Sequence, residues 1–301
     1  MMNHLLPFLH SAVAIMTPLL FAAAGGLFTE FAGVLNIALE GLLLTGAFSA
    51  LAVTHFTGSI LAGIIAAIIS ATALSALTAA VALKLRANVV ISGLAANLFA
   101  SGITVILSHK LFATRGVVSF NDIPPLKIIE AGALSNIPII GDIFSGHSFF
   151  VYLSWLLLFV SWVILYRTPF GVRLRSSGSH GEALASLGIK PQTYRFCAFL
   201  ISGIACGIGG SYLTLNLGVF VPNISAGKGW IALVVIFLGN RKPLGLLVAA
   251  FIFGLAESFS NYAQGTLKVP ADFILAIPNV ITLMGMIAVS IYTKRRNRVL
   301  R

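Results

Sequence analysis

Gly58-Ser59-Ile60-Leu61-Ala62-Gly63-Ile64-Ile65-Ala66-Ala67-Ile68-Ile69 opens a run that stays uncharged to Leu83 and stops at Lys84-Leu85-Arg86. A helix rises about 1.5 Å per residue, so about 20 apolar residues cross a hydrocarbon core of about 30 Å. Runs of this kind recur along all 301 residues, of which 58% are hydrophobic and 9% charged; mean hydropathy is +1.01. In lipid the backbone must satisfy its own hydrogen bonds, which leaves helices or a closed barrel. The runs are continuous rather than alternating, and that excludes a barrel. The chain therefore reads as an all-α polytopic membrane protein and as a single transmembrane domain over 1–301.

The basic residues set its direction. Fourteen of the nineteen Lys and Arg fall in four groups between runs: Lys84 and Arg86; Arg167, Arg173, Arg175, Lys190 and Arg195; Arg241 and Lys242; and Lys294, Arg295, Arg296, Arg298 and Arg301. Cytoplasmic loops carry such an excess, and placing all four groups on that side threads the chain without conflict. Spans are predicted at 5–28, 31–54, 58–83, 89–109, 148–166, 196–217, 224–240, 244–260 and 272–292, about nine in all with eight to ten allowed. A cytoplasmic C-terminus then puts the N-terminus outside. The first run lacks the basic start of a signal peptide and is too long for its apolar core, so it reads as the first span. Segment 110–147 becomes an extracytoplasmic loop in which Lys110, Arg115 and Lys127 balance Asp122, Glu130 and Asp142. Lys228 and Lys268 are left on the outer side. The net charge of +11 is thus orientation charge that can also touch anionic lipid headgroups. It is not a nucleic-acid footprint, since no basic stripe with interleaved aromatics exists.

Small residues predict how the spans pack. Ala62, Ala66 and Ser70 recur every four residues in the third span, and Gly203 and Gly207 form a similar pair in the sixth; such faces let backbones approach closely. Cys197 and Cys206 share a span but lie about 13.5 Å apart along its axis, so they cannot pair with each other.

One pattern goes beyond packing. Ala32-Gly33 followed by Ile37-Ala38-Leu39 recurs as Ala226-Gly227 followed by Ile231-Ala232-Leu233, Leu44 falls on Leu238, and Gly25-Gly26 has an echo in Gly209-Gly210. Four spans, an odd one at 148–166 and four more turn the second copy over. The expectation is an inverted repeat of 5–109 and 196–292, a construction common in transporters.

No phosphate-binding Gly-x-x-x-x-Gly-Lys-Ser/Thr loop, His-Glu-x-x-His, Cys-x-x-Cys or Gly-x-Ser-x-Gly occurs. No cofactor, metal site or catalytic residue is expected in this chain, and ATP, if it drives transport, is hydrolysed by another subunit. Polar residues inside spans are the remaining candidates. Glu40 and Glu257 sit in apolar stretches, where an ionised side chain must face water, find a partner or take up a proton. Asn36 lies one helical turn before Glu40, and Asn97 lies in mid-span. Each of the four can line a substrate pathway or bind helix to helix.

The longest basic loop spans 167–195 and contains Thr168-Pro169-Phe170-Gly171-Val172-Arg173-Leu174-Arg175, then Gly178, then Gly181-Glu182-Ala183-Leu184-Ala185-Ser186-Leu187-Gly188-Ile189. A two-turn helix over 180–187 is predicted, with Glu182 at its start and Gly188 past its end, as helix termini favour. The Thr-x-Phe-Gly-x-x-Leu-Arg pattern with the short helix and Gly-Ile resembles the coupling loop of bacterial ABC importer permeases of the ribose, branched-chain amino acid and nucleoside group. Glu30-Phe31-Ala32-Gly33-Val34-Leu35-Asn36-Ile37-Ala38-Leu39-Glu40-Gly41 looks most like the nucleoside and simple-sugar branch. Val90 to Leu98, and Ser225 to Leu233 with Gly239 and Pro243-Leu244-Gly245, resemble its fourth-span and later gate motifs. His180 stands where that family often has Asn, Leu184 replaces the second of two Ala, and Lys228 stands where Arg is common.

The resemblance implies a permease subunit in the bacterial cytoplasmic (inner) membrane. Its implied partners are a cytoplasmic ABC ATPase, a second permease that is a paralogue or a second copy, and an extracytoplasmic solute-binding protein. Gly171, Arg173, Arg175, Gly178, Glu182, Ala183 and Gly188 would couple it to the ATPase. Nucleosides are the implied solute, with riboflavin, simple sugars or another small polar solute as alternatives. An ion-coupled secondary transporter using Glu40 or Glu257, and a scaffold without a pathway, are the rival readings.

Overall fold

The computed structural model describes residues 2–120, 125–130 and 140–266, together with 280, 284 and 287. The predicted last span, 272–292, the C-terminal basic group and Lys268 lie outside the described residues but for those three positions.

Seven described helices are long and apolar enough to cross a membrane. Four of them are α1 (Met2–Phe31), α2 (Leu39–Thr57), α3 (Ile60–Ala79, continued by a π-helical turn Ala80–Lys84) and α4 (Val89–Phe112), and the other three begin at Phe149, Pro191 and Pro243. After a short α5 (Ile140–Phe144) come α6 (Phe149–Arg167), α7 (Pro169–Ser179), α8 (Gly181–Ser186) and α9 (Pro191–Leu215). Two more follow, α10 (Lys228–Leu238) and α11 (Pro243–Thr266). Local chemistry sets several boundaries. Ser59 caps α3 by accepting from Ala62 N, Asn88 caps α4 by accepting from Val90 N and Ile91 N, and prolines open α7, α9 and α11 where no N–H is needed.

Every residue of α1 from Met16 to Thr29 is buried, with α6, α9, α10 and α11 packed around it. The α3–α9 contact is made by small residues, but not by the expected stripe. Gly63, Ala67, Ala71 and Ser75 are the buried face of α3, one position along from Ala62, Ala66 and Ser70. Both stripes are small enough; what selects between them is the glycine face of α9. A methyl group on Gly207 would lie 2.7 Å from Ala67 O, and one on Gly203 would lie 2.7 Å from Thr72 Cα. The opposite side of α3 presents Leu61, Ile65, Ile69 and Leu77 outward, as a helix solvated by lipid requires.

The bundle has two unlike ends. At one, β1 (Val118–Ser119) pairs antiparallel with β4 (Val219–Phe220), and β2 (Ile128–Ile129) pairs with β3 (His147–Ser148). His55 at the end of α2 stacks on Phe120 with centroids 3.6 Å apart. At the other end the described basic groups collect. Lys84 lies over Phe196, Arg195 Nη2 donates to Ser177 O at 2.8 Å, and Arg241 pairs with Glu30 at 2.8 Å.

Two predicted spans are corrected. The second begins at Leu39 rather than 31, because residues 32–38 leave the helix at Gly33, whose φ is +74°. The seventh, read as 224–240, holds only the 11 residues of α10, about 16 Å of helix. The chain before it descends from β4 through overlapping turns, Ile224 N to Val221 O, Ala226 N to Asn223 O and Lys228 N to Ser225 O, with left-handed backbone at Asn223, Ala226 and Gly227. Pro222 and Gly227 break the helix, while hydropathy averaged over the run conceals the break.

The loop end carries a stacked histidine pair. His10 of α1 and His147 of β3 have centroids 3.9 Å apart, and their Nε2 atoms lie 3.2 Å from Ser145 O and 2.9 Å from Ile143 O. Burial chiefly lowers the His147 pKa below its ordinary 6.5; the Ile143 carbonyl opposes this and His10 adds to it. Asp142, Glu130 and Lys127 are the charged groups on the neighbouring described elements. A histidine held neutral by the fold contributes stability that is present above pH 6.5 and is lost as pH falls below it. Melting temperature should therefore drop between pH 7.5 and pH 5, and the drop should be smaller in His147→Phe. Equal slopes in the two proteins would contradict this.

Candidate functional site

The loop 32–38 and the turn 225–229 meet at mid-bundle, and all four candidate intramembrane residues converge there. The depth follows from α4, where Asn97 bonds to Ile37 and Gly41 and Ser101 bonds to Asn223, just before the turn, near the middle of its 24 residues. Asn36 is fully buried. Its Nδ2 donates to Ser202 Oγ at 3.0 Å, and its Oδ1 accepts from Ala38 N at 3.0 Å. Asn97 Oδ1 accepts from Gly41 N at 2.8 Å, while its Nδ2 donates to Ile37 O at 3.0 Å. The two amides thus satisfy backbone groups that the break before α2 leaves unpaired.

Glu40 closes the site. Its Oε1 accepts from Ser225 Oγ at 2.6 Å and from Gly227 N at 2.8 Å, and its Oε2 accepts from Gly229 N at 2.7 Å. This is an anionic cap on the N-terminus of α10, where the helix dipole favours negative charge. A methyl group on Gly229 would lie 2.3 Å from Glu40 N, so only glycine lets the two segments touch. Beside it Lys228 Nζ pairs with Glu257 at 2.5 Å. Lys228, expected on the outer side, is only 9% exposed within the bundle. Its partner on α11 offsets the cost of that burial. Sequence reasoning missed Ser202, Ser225 and the Lys228–Glu257 pair; a lone lysine beside a Gly-x-Gly break in an apolar run was the available signal for the last.

From this junction α2 runs to the loop end and α10 to the basic end, so the two helices leave it in opposite directions. Gly33 and Gly227, equivalent in the Ala-Gly motif, are both left-handed, at +74° and +82°. The local structure after them differs, since helix resumes at Leu39 in one and at Lys228 in the other.

The coupling candidates divide by position. Gly171, Gly178, Arg173 and Arg175 hold α7 to the bundle. Thr168 caps α7 by accepting from Gly171 N at 3.2 Å, and a methyl on Gly171 would lie 2.2 Å from Ile164 O. Arg173 Nη1 donates to Tyr194 OH, and Arg175 stacks over Tyr166. A methyl on Gly178 would lie 2.3 Å from Phe31 O, where α7 crosses the Gly33 turn. Gly178→Val should therefore lower the melting temperature by several degrees, whereas Gly188→Ala, with open space around it, should cost little beyond its left-handed φ of +76°. The reverse order would contradict the packing account. Glu182, Ala183 and Gly188 are exposed on α8 and the turn after it. Helix α8 spans 181–186, close to the expected 180–187, and is anchored by Leu184 at 6% exposure while Leu187 stands out at 76%.

A multi-pass bundle with a broken helix at mid-depth and a projecting helix at its basic end has the architecture of a transport permease. The chain belongs to the family described as branched-chain amino acid transport system / permease component, whose model matches residues 8–290. It is similar to the guanosine ABC transporter permease protein NupQ of Bacillus subtilis, with 34% identity covering 89% of this chain and 87% of that one. It is likewise similar to the nucleoside ABC transporter permease protein NupC of Lactococcus lactis subsp. cremoris, with 32% identity over the same shares. Among solved structures, a metal-chelate type ABC transporter in an inward-facing conformation matches with TM-score 0.53 and 16% identity, covering 91% of this chain and 85% of that one. At that identity the likeness shows the fold alone.

Proposed function

We propose that this chain is the membrane-spanning subunit of an ATP-driven nucleoside importer of the bacterial inner membrane, with its basic end in the cytoplasm. Helix α8 carries the energy-coupling half of this reading. It is a six-residue helix held by one buried leucine, with its remaining surface exposed, at the end where the positive charge collects. Beyond Leu184 such an element buries nothing against its own chain, leaves Leu187 exposed, and fits a cleft in a cytoplasmic ATPase. The nucleoside half rests on the two relatives named for guanosine and nucleoside transport. A second permease, itself or a paralogue, completes the pathway, and a solute-binding protein delivers from the loop end, near 110–147 and the β4 end of the 218–229 connection. Segments 5–109 and 196–292 are inverted repeats whose broken helices meet at Glu40; the opposite courses of α2 and α10 support this. The four intramembrane residues act beside the pathway by holding the broken segments together.

Vesicles carrying the full importer test the reading. Guanosine uptake should require ATP and survive collapse of proton and Na⁺ gradients. Uptake driven by a gradient without ATP would overturn it in favour of ion coupling.

A further inference from the structure

The candidate polar residues read from sequence spend their hydrogen bonds on protein. The open surface at the same depth belongs to other side chains. On α10, every residue from Lys228 to Ile236 is buried except Trp230, which is 42% exposed. Before it, Val221, Asn223 and Ala226 are exposed as well. All four stand exposed along the broken crossing, within ten residues of one another. Asn223 Oδ1 accepts from Ser101 Oγ at 2.8 Å, which sets this stretch against the midpoint of α4. Its amide nitrogen has no partner among the described residues.

Lipid is a poor solvent for that stretch. Irregular backbone at membrane depth persists only where protein covers it or water reaches it, and an open carboxamide in hydrocarbon leaves donors unpaired. Tryptophans that anchor a bundle in lipid sit at the two interfaces. Trp230 instead follows directly on the Glu40 junction, at mid-bundle. A flat indole and a carboxamide exposed on the same crossing supply a stacking face and an in-plane donor and acceptor, the two kinds of group that recognise a planar heteroaromatic ring.

We propose that Trp230 and Asn223 contact the transported solute, the indole stacking on the base of a purine nucleoside and the Asn223 amide bonding to its edge, with Ser101 orienting that amide. The proposal rests on the nucleoside-import reading above. It names the surface that distinguishes a nucleoside from a bare sugar.

The chain has three tryptophans, so Trp155→Phe with Trp162→Phe leaves Trp230 as its sole tryptophan, and the emission that a further Trp230→Phe removes from the assembled importer is that of Trp230. Guanosine should quench that emission saturably, and ribose should not. Trp230→Leu should raise the apparent KM for guanosine tenfold or more with the maximal rate much less affected, and Trp230→Phe should restore most of it. Asn223→Leu should raise KM while leaving ATP hydrolysis coupled to uptake. If Trp230→Leu fails to reach the membrane, quenching in the single-tryptophan protein and the Trp230→Phe kinetics decide. Unchanged KM in Trp230→Leu, equal quenching by ribose, or strong quenching of Trp230 by lipids with brominated acyl chains would overturn the assignment. Failure of the unsubstituted importer to take up any nucleoside would instead remove the function proposed above, a separate outcome.

Discussion

Glu40→Gln should lower the melting temperature of the purified permease by several degrees, the largest stability loss expected from an isosteric change in this chain. The carboxylate accepts three hydrogen bonds, one from a hydroxyl and two from backbone N–H groups. Glutamine keeps one acceptor oxygen and places an NH2 group where the other was, so a donor then faces a donor. Hydrogen bonds to a charged group contribute about 1.5–3 kcal/mol each, and a buried donor left unmade costs about 1–3 kcal/mol. A loss of about 3 kcal/mol follows. Glu40→Asp keeps the charge but withdraws it by one methylene, and should fall between the two. A Glu40→Gln protein that melts with the unsubstituted one would show that the Gly227–Gly229 turn is held by something else.

The second large effect concerns coupling. Two residues inserted after Glu182 should abolish nucleoside uptake while ATP hydrolysis by the assembled complex continues. The insertion turns the rest of α8 through about 200°, swinging Leu184 off the site that holds it and the exposed face away from its partner. The spans do not depend on α8, so the protein should still reach the membrane. Normal uptake by the insertion variant would contradict the docking role.

Much of the bundle was legible from hydropathy and charge because lipid imposes a simple rule on long runs. The starts of α3, α4, α6 and α11 fall within two residues of the predicted spans. What the sequence concealed lies where that rule is broken with compensation. Residues 32–38 and 224–227 are apolar enough to average as helix, yet Gly33 and Gly227 turn the backbone out of it. Compensation comes from partners far along the chain, 185 residues away for Ser225 and Glu40, which no local pattern exposes. The same holds for Asn36 and Asn97. Asn97 was read in mid-span and Asn36 a helical turn before Glu40, but Asn36 lies in the loop before α2, and the bonding of the two to Ser202 and to the Ile37–Gly41 backbone depends on how the segments are packed. In the basic loop the short helix was visible because capping and charge act locally, whereas the close approach of Gly178 to Phe31 is a tertiary fact.

The distance between Glu40 and its donors also bears on biogenesis. A ribosome adds about 5–20 residues each second, so Glu40 is synthesised roughly ten to forty seconds before the turn that satisfies it emerges. During that interval the nascent α2 carries an acidic group that bare hydrocarbon will not hold. Until the later half of the protein arrives, this helix is therefore held beside water, against a temporary companion, or with its carboxyl protonated.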